Sequence, residues 1–161
     1  MQELQLKPIK KLSGEVTLPG SKSLSNRGLL LSALARGATK LNNLLRSDDI
    51  EHMVGALRQL AVCLDLSDDW QYCNVEGNGG LFDPPTDKRF FLGNAGTAVR
   101  PLTAIFSLIN SEFEIDGDAY MRERPIAHLT DALTQLGAKI SFLDKPGYPP
   151  FKIEGGSLSG N

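Results

Sequence analysis

The chain has 161 residues, 41% of them apolar and 22% charged, which suits one globular domain and is too little for two large ones. Its formal net charge of −2 argues against a general nucleic-acid surface, so any affinity for anions must come from locally placed Lys and Arg side chains. Apolar runs stay well short of the roughly 20 residues of a membrane span, so we expect a soluble, cytoplasmic protein without nucleic-acid or membrane partners.

Two parts of the chain repeat each other. Residues 50–60 and 126–136 share Ile, His, Ala, Leu, Gln and Leu at an offset of 76. Shorter stretches align at similar offsets: residues 20–27 with 93–100, and 75–77 with 153–155. A fixed period of about 75 residues indicates a repeated supersecondary unit. We therefore predict an α/β fold with two copies of a helix-strand-helix-strand-strand unit.

The first unit is predicted at residues 19–85. After a loop at 19–23, its elements in chain order are a helix at 26–35, a strand at 39–44, a helix at 50–60, and strands at 62–66 and 72–76. The second of these helices has an apolar face formed by Ile50, Met53, Val54, Leu57 and Leu60. Asp48 and Glu51 predict a capping box at its start.

The second unit is predicted at residues 86–155, after turn signals at 78–80 and 83–85. Its elements in chain order are a loop at 93–97, a helix at 98–109, a strand at 113–116, a helix at 125–136, and strands at 139–143 and 151–154. Pro125 is expected at the first position of the last helix, where a missing N–H costs nothing. Residues 156–161 again have the composition of a joint and are expected to begin a third unit.

Residues 19–27, P-G-S-K-S-L-S-N-R, have the character of an anion-binding helix entrance. A glycine turn, hydroxyl groups and free backbone N–H groups precede a helix whose dipole favours negative charge. Lys22 and Arg27 add full positive charges about one helical turn apart. The alternative interpretation is a Ser-rich helix cap with solvated cations.

Residues 92–98, L-G-N-A-G-T-A, hold the equivalent place in the second unit and again open a helix. Gly96 allows a ligand to approach the backbone closely, and Asn94 offers both a donor and an acceptor. If the units pack side by side, the two entrances face one ligand. A simple helix-entry turn is the alternative.

Arg124 is the third candidate for ligand binding. A guanidinium beside the expected helix start at Pro125 can clamp a carboxylate or a phosphate with two hydrogen bonds. The alternative is a solvated side chain, or a pair with Glu123. Arg100, which is equivalent to Arg27, can either contact a ligand or form a structural ion pair.

Other polar residues are assigned structural roles. His52 and His128 hold equivalent helix positions, which indicates a shared role in packing or capping. The acidic pairs at 48–49 and 68–69 have the character of helix-start and turn residues, and Cys63 and Cys73 lack metal-site spacing. We therefore expect no metal site.

Three segments together closely resemble the signature segments of the EPSP synthase (3-phosphoshikimate 1-carboxyvinyltransferase) family: residues 19–27, F-L-G-N-A-G-T-A-V-R-P-L at 91–102, and M-R-E-R-P-I-A-H-L at 121–129. S-D-D-I-E-H-M, G-N-G-G and Y-P-P also fit, so the resemblance spans the chain. It implies transfer of the enolpyruvyl group of phosphoenolpyruvate to the 5-hydroxyl of shikimate 3-phosphate, with release of phosphate, in aromatic amino-acid biosynthesis. The resemblance implies neither a metal nor an organic cofactor.

The resemblance also implies roles for individual residues. Shikimate 3-phosphate is expected to bind Lys22, Ser23 and Arg27. Phosphoenolpyruvate, and the family's inhibitor glyphosate, are expected to bind Lys22, Asn94, Gly96 and Arg124. Lys22 is in addition expected to be catalytic, as a proton donor in the addition step.

The family fold has two similar domains, each with three copies of the unit in an inside-out α/β arrangement, and an active site between the domains. The resemblance implies that residues 1–18 belong to the other domain, and that the chain is an N-terminal part lacking the third unit and the second domain. We therefore expect this chain alone to be inactive and the full enzyme to be a monomer. The chain can also self-associate through apolar surface that the third unit covers.

Two other functions remain open on the sequence. One is a binding module that captures small phosphorylated anions without catalysis. The other is the related enolpyruvyl transferase that uses a UDP-sugar. The P-G-S-K-S and R-E-R-P segments favour shikimate 3-phosphate over the sugar nucleotide.

Overall fold

The computed structural model describes residues 4–6, 8–156 and 158–159. Its helices are α1 (Lys22–Leu34), α2 (Asp48–Gln59), α3 (Gly96–Phe106) and α4 (Ala127–Gln135), with a short 3₁₀ helix at Met121–Glu123. Its strands are β1 (Arg36–Asn42), β2 (Cys63–Leu66), β3 (Tyr72–Asn78), β4 (Arg89–Phe91), β5 (Glu112–Asp116), β6 (Lys139–Phe142) and β7 (Phe151–Glu154). Residues 1–3 and 7 of the predicted N-terminal segment, and 157, 160 and 161 of the predicted third unit, lie outside the described residues.

The described strands form two sheets with a shared topology. The first has the order β1-β3-β2 and the second the order β4-β5-β7-β6. Within the second sheet, β5, β7 and β6 are antiparallel neighbours in the same order as β1, β3 and β2. Thr39 pairs with Val75, and Phe113 pairs with Ile153 at the corresponding place. The predicted α/β fold is confirmed, and the repeat seen in the sequence is a repeat of sheet topology.

The core forms where alternating strand residues meet the apolar faces of the helices. Cys73 and Val75 of β3 are fully buried, as are Phe113 and Ile115 of β5, because every second side chain of each strand points towards the helices. The predicted apolar face of α2 is buried in the same core. Burial of each large side chain contributes about 1.5–3 kcal/mol to stability.

A glycine near the end of β3 and another just after β7 let a helix end approach each sheet. A Cβ atom at Gly77 would collide with the carbonyl oxygens of Ser32 and Ala35 at the end of α1. At Gly155, the equivalent place in the second unit, a Cβ atom would collide with the carbonyl oxygen of Phe106 at the end of α3. The glycines that align in the two repeats therefore serve the same close helix-sheet packing.

Helix α1 begins four residues earlier than predicted, at Lys22 instead of residue 26. Ser21 caps it, because its hydroxyl oxygen accepts a hydrogen bond from the N–H of Leu24 at 3.4 Å. The sequence predicts a loop over residues 19–23, whereas Lys22 and Ser23 belong to the first turn of the helix. Arg27 lies in the helix, as predicted.

The predicted start of α2 is also wrong in detail. The cap residue is Ser47, whose backbone carbonyl accepts from the N–H groups of Ile50 at 2.9 Å and Glu51 at 3.0 Å. Asp48 is the first residue of the helix, so it does not form a capping box with Glu51. Its carboxylate instead lies in the first turn, where the helix dipole favours negative charge.

The last helix starts two residues later than predicted. Helix α4 begins at Ala127, and the N–H of the preceding residue, Ile126, donates to the carbonyl oxygen of Gly147 at 2.9 Å. This bond holds the segment before the helix against a neighbouring loop, so Pro125 is not the first helical residue. Arg124 has the extended backbone conformation that a following proline favours.

Strand β4 was not predicted. It pairs in parallel with β5, with Phe90 opposite Ile115, and Phe90 is buried. Its three residues follow a stretch rich in proline and charge, so they leave almost no alternating pattern to detect. Across the described part of the chain, the helices are too short or too polar to cross a membrane.

Candidate functional site

A cavity of about 600 Å³ lies where the N-terminal ends of α1, α2 and α3 meet the segment before α4. Its size is that of a small-molecule site. The side chains around it are mostly polar or cationic and come from both repeats. They are Lys22, Ser23, Arg27, Asp49, Asn94, Gly96, Thr97, Arg100, Pro101 and Arg124.

The first turns of α1 supply one side of the cavity. Lys22 is the first helical residue, and its side chain is 48% exposed, so its ammonium group is accessible to a ligand. The guanidinium Nε of Arg27 donates to the carbonyl oxygen of Ser23 at 3.1 Å, which orients the charge one turn further along the helix. The helix N-terminus and the two cations thus act on the same space.

The start of α3 supplies the facing side. Ala95 caps the helix, which begins at Gly96, so Asn94 precedes the helix by two residues. The side-chain oxygen of Asn94 is buried and has no hydrogen-bond partner among the described residues. A buried acceptor without a partner is rare in folded proteins, and here it belongs to a residue of the cavity wall. Residues of both helix entrances therefore line the same cavity, and their binding of one ligand stays a prediction.

Gly96 leaves space for two guanidinium groups beside the start of α3. A Cβ atom at this position would lie 2.9 Å from Nη1 of Arg124 and 3.1 Å from Nη1 of Arg100. A larger residue would require these side chains to shift. Arg124 precedes α4 in the chain, and its guanidinium also lies beside the N-terminus of α3.

Arg100 forms hydrogen bonds within the protein while it lines the cavity. Its Nη2 donates to the carbonyl oxygen of Pro125 at 3.1 Å, and its Nη1 lies 3.4 Å from the carbonyl oxygen of Gly96. These partners are backbone carbonyls, so Arg100 forms no ion pair among the described residues, whereas its contact with a ligand stays a prediction. Arg100 ties α3 to the segment that carries Arg124.

The charge of the cavity is opposite to that of the whole chain. The chain carries a formal charge of −2. Among the described residues that line the cavity, four are cationic and one is anionic: Lys22, Arg27, Arg100, Arg124 and Asp49. Such a local excess of positive charge attracts small anions even when the protein as a whole does not.

All six residues predicted to bind substrates line this one cavity, and the sequence analysis missed two further polar residues in it. Asp49 lies 3.2 Å from the Nζ of Lys22, and its Oδ1 accepts a hydrogen bond from the hydroxyl of Thr97 at 3.3 Å. The sequence had assigned Asp49 to a helix start. Its partners lie 27 and 48 residues away along the chain, so no local pattern signals the contact.

The two equivalent histidines lie in different environments. The ring of His52 packs edge-on against Phe91 at 6.1 Å between ring centres and contacts Gly93, which has no room for a side chain. The predicted packing role is right for His52, whereas His128 is exposed and the two roles are not shared. The described residues contain no cluster of three or more His, Cys, Asp or Glu side chains that could hold a metal.

The fold and this cavity define the chain as an α/β repeat protein whose helix N-termini form a cationic, small-molecule-sized cleft. The sequence model of the EPSP synthase (3-phosphoshikimate 1-carboxyvinyltransferase) family matches residues 6–161. The chain therefore belongs to this family.

Relatives and a solved structure agree with this assignment. The chain is 53% identical over 161 residues to a 3-phosphoshikimate 1-carboxyvinyltransferase of Colwellia psychrerythraea, and 55% identical over 160 residues to one of Tolumonas auensis. It covers 38% of the length of each of these curated relatives. The structure of EPSP synthase from Acinetobacter baumannii is similar with a TM-score of 0.84 and 29% identity, over 92% of this chain and 33% of that chain.

Proposed function

We propose that the cavity between α1, α2 and α3 is one wall of an active site that transfers the enolpyruvyl group of phosphoenolpyruvate to the 5-hydroxyl of shikimate 3-phosphate. The observation that carries the proposal is that the two helix entrances and Arg124 converge on one cationic cavity in a chain that is negative overall. Both substrates are small and anionic. Membership of the EPSP synthase family supports this choice of substrates.

The α1 side of the cavity is assigned to shikimate 3-phosphate. Lys22 and Arg27 neutralise its phosphate, and the hydroxyl of Ser23 adds a hydrogen bond to a phosphate oxygen. The first turn of α1 contributes its unpaired N–H groups and its dipole. Because these groups lie on one rigid helix, they fix the position of the shikimate ring relative to the second substrate.

The α3 side is assigned to phosphoenolpyruvate. Arg124 binds its carboxylate or phosphate, Gly96 leaves room for that contact, and Asn94 presents its amide to the ligand. Lys22 lies at the boundary between the two substrates and contacts both. In this assignment its ammonium group is the proton donor for the methylene carbon while the hydroxyl oxygen of shikimate 3-phosphate attacks the adjacent carbon.

The reaction then proceeds through a tetrahedral intermediate. Expulsion of inorganic phosphate and loss of a proton from the former methylene carbon restore the double bond and give the enolpyruvyl ether. The cationic side chains stabilise the charge that develops on the departing phosphate. The groups on this chain thus account for substrate binding and one proton transfer.

The remaining chemistry is assigned to the part of the relatives' length that this chain does not cover. We propose that residues 1–18 associate with that part, that a third unit follows the second, and that the 161-residue chain alone does not turn over substrate. The exposed apolar side chains of the described N-terminal residues, such as Leu6, Leu12 and Val16, fit a segment that packs elsewhere. A cytoplasmic location and a monomeric full-length enzyme complete the proposal.

Calorimetric titration tests the assignment of the cavity. We expect shikimate 3-phosphate to bind the chain, and Lys22→Gln to weaken that binding by about tenfold, the loss expected for one charge-assisted hydrogen bond. Lys40→Gln is the matched control, because Lys40 lies on β1 and does not line the cavity. Equal losses in the two variants would contradict the assignment.

A second experiment separates an enzyme from a binding module. The chain is mixed with the remainder of a polypeptide of the relatives' length, and phosphate release from the two substrates is measured. Turnover by the mixture, and none by the chain alone, supports the transferase. If binding persists and the mixture stays inactive, the binding-module function is favoured. Turnover with a UDP-sugar in place of shikimate 3-phosphate would favour the related enolpyruvyl transferase that uses a UDP-sugar.

A further inference from the structure

We propose that Asp49 is a positioning residue, which holds the Lys22 ammonium and the Thr97 hydroxyl in place so that the α1 and α3 entrances act as one site. This inference rests on the proposed function, because it concerns how the same cavity binds its ligands. Asp49 itself is assigned no contact with the substrates. It acts through Lys22.

The first observation is the position of Asp49 between two helix entrances. It lies in the first turn of α2, and its side chain is 17% exposed, so most of the carboxylate is enclosed by the protein. Its Oδ1 lies 3.2 Å from the Nζ of Lys22 on α1. A flexible lysine side chain, half exposed at the start of a helix, thereby acquires a defined position.

The second observation is a hydrogen-bond chain that crosses three helices. The Nδ2 of Asn26 on α1 donates to the hydroxyl oxygen of Thr97 on α3 at 2.6 Å. Since this oxygen accepts from Asn26, its own hydrogen is directed to Oδ1 of Asp49 at 3.3 Å. Asn26 is 1% exposed, so one end of this chain is anchored in the interior.

The third observation is that the repeat itself does not require these groups. At the offset of 76 that aligns α2 with α4, the place of Asp49 is taken by Pro125. At the offset of 73 that aligns the entrances, the place of Thr97 is taken by Leu24. The network therefore belongs to the junction of the two units and is not part of the scaffold that they share.

The helix dipole favours a carboxylate in the first turn of α2, but it does not require one beside Lys22. A negative charge in a cavity for anions repels the ligand, and a partly exposed ion pair stabilises a fold only weakly. If Asp49 acted through its charge alone, its removal would strengthen anion binding. If it acts by positioning Lys22, its removal weakens binding although the cavity becomes more positive. The two explanations therefore predict changes of opposite sign in the affinity for the anion.

The test compares Asp49→Asn with Asp48→Asn in the 161-residue chain. Both variants remove one negative charge from the first turn of α2, and Asp48 is exposed and does not line the cavity. Binding of phosphoenolpyruvate is measured by calorimetry. We expect Asp49→Asn to weaken binding by about fivefold, as for loss of a modest polar interaction, and Asp48→Asn to leave it unchanged or slightly tighter. Binding by Asp49→Asn that equals or exceeds that of Asp48→Asn would overturn the proposal.

A measurement without ligand separates this inference from the proposed function. The order of the Lys22 ammonium group is measured by ¹⁵N relaxation in the unliganded chain, with the exposed Lys88 as internal reference. Lys22 is expected to be more ordered than Lys88, and Asp49→Asn is expected to remove the difference. An unchanged order in Asp49→Asn refutes the positioning role even if phosphoenolpyruvate binds, whereas a wild-type chain that binds no phosphoenolpyruvate counts against the proposed function.

Thr97 provides a second pair of variants that leaves the carboxylate in place. Thr97→Val removes the hydroxyl with little change in shape, and we expect a smaller loss of Lys22 order in the same direction. Thr97→Ser retains the hydroxyl and should behave as the wild type. If Thr97→Val and Thr97→Ser give the same Lys22 order, the proposed network does not hold the lysine.

Discussion

Arg100 donates a hydrogen bond from Nη2 to the carbonyl oxygen of Pro125 at 3.1 Å, across 25 residues of sequence. The bond joins the second turn of α3 to the segment that carries Arg124. Helix α3 therefore positions two guanidinium groups. It carries that of Arg100, and it is bound to the segment that carries that of Arg124. This hydrogen bond therefore joins two parts of the cavity wall.

Loss of this tie should loosen the segment before α4. We expect Arg100→Ala to increase backbone motion at residues 122–126 in NMR relaxation, and to weaken phosphoenolpyruvate binding by about fivefold, the effect of one lost hydrogen bond to a charged donor. Arg58→Ala, on the exposed end of α2, is the control. Unchanged motion in this segment would show that Arg100 does not hold it.

Gly96→Ala tests the close approach of Arg124 to the start of α3. The added Cβ atom would lie 2.9 Å from Nη1 of Arg124, so we expect the guanidinium to move and phosphoenolpyruvate binding to fall. Gly55→Ala is a matched control, since Gly55 lies inside α2 with no atom within 4 Å of the added group among the described residues. That control should raise stability by about 0.5–1 kcal/mol. Equal binding by the two variants would contradict the steric argument.

Most of the scaffold and part of the site could be predicted from the sequence. Periodicity predicted α2 and the approximate places of β1, β2, β3, β5, β6 and β7, because it is a local property that is present in a single sequence. The start of α1 was placed four residues late, since the polar residues from Lys22 onwards resemble a loop until the capping contact of Ser21 is seen. Three-residue strand β4 is too short for a pattern, and its pairing with β5 is non-local.

Residues that act through tertiary contacts were the ones that sequence reasoning missed. The resemblance identified six residues that line the cavity. It did not identify Asp49, whose contacts with Lys22 and Thr97 join separate helices. The sequence also predicts that Arg124 precedes α4, but not that its guanidinium lies beside Gly96 at the start of α3, because that contact joins distant parts of the chain.

The aromatic cluster of Phe90, Phe106 and Phe113, at the end of α3, should dominate the stability of the second unit. Phe106 is fully buried, and its ring stacks on Phe113 at 4.7 Å and packs against Phe90 at 4.5 Å between ring centres. We expect Phe106→Ala to lower the free energy of unfolding by about 3–5 kcal/mol, through lost burial and the cavity left behind. Denaturant unfolding measures this, with the exposed Leu108→Ala as control. A loss below that of the control would rule out this cluster as a core element.

The two cysteines should differ in reactivity. Burial, and then the nearby charge of Asp65, raises the pKa of the Cys73 thiol above its ordinary value of 9.0, whereas Cys63 is exposed. A raised folded pKa contributes stability that is present below about pH 9 and is lost as the pH rises through the folded pKa. At pH 8 we therefore expect iodoacetamide to modify Cys63 readily.

In the Cys63→Ser variant, alkylation of Cys73 should be about a hundredfold slower in the folded chain than in denaturant, because access requires opening of the structure. Stability should also fall as the pH is raised above 9, and denaturant unfolding at several pH values measures it. Rapid alkylation of folded Cys73 at pH 8 would contradict its burial.

The entrances of α1 and α3 should respond to the two substrates as two sides of one cavity, and NMR titration of the ¹⁵N-labelled chain tests this most directly. Shikimate 3-phosphate and phosphoenolpyruvate are added separately and then together, and the amide shifts are mapped on the sequence. We predict saturable shifts that cluster at residues 21–27 with shikimate 3-phosphate and at residues 94–100 and 124 with phosphoenolpyruvate, whereas Asn74 on β3, which does not line the cavity, is unaffected. Shifts that are absent at saturating ligand, or that cluster away from these two helix starts, would contradict the assignment.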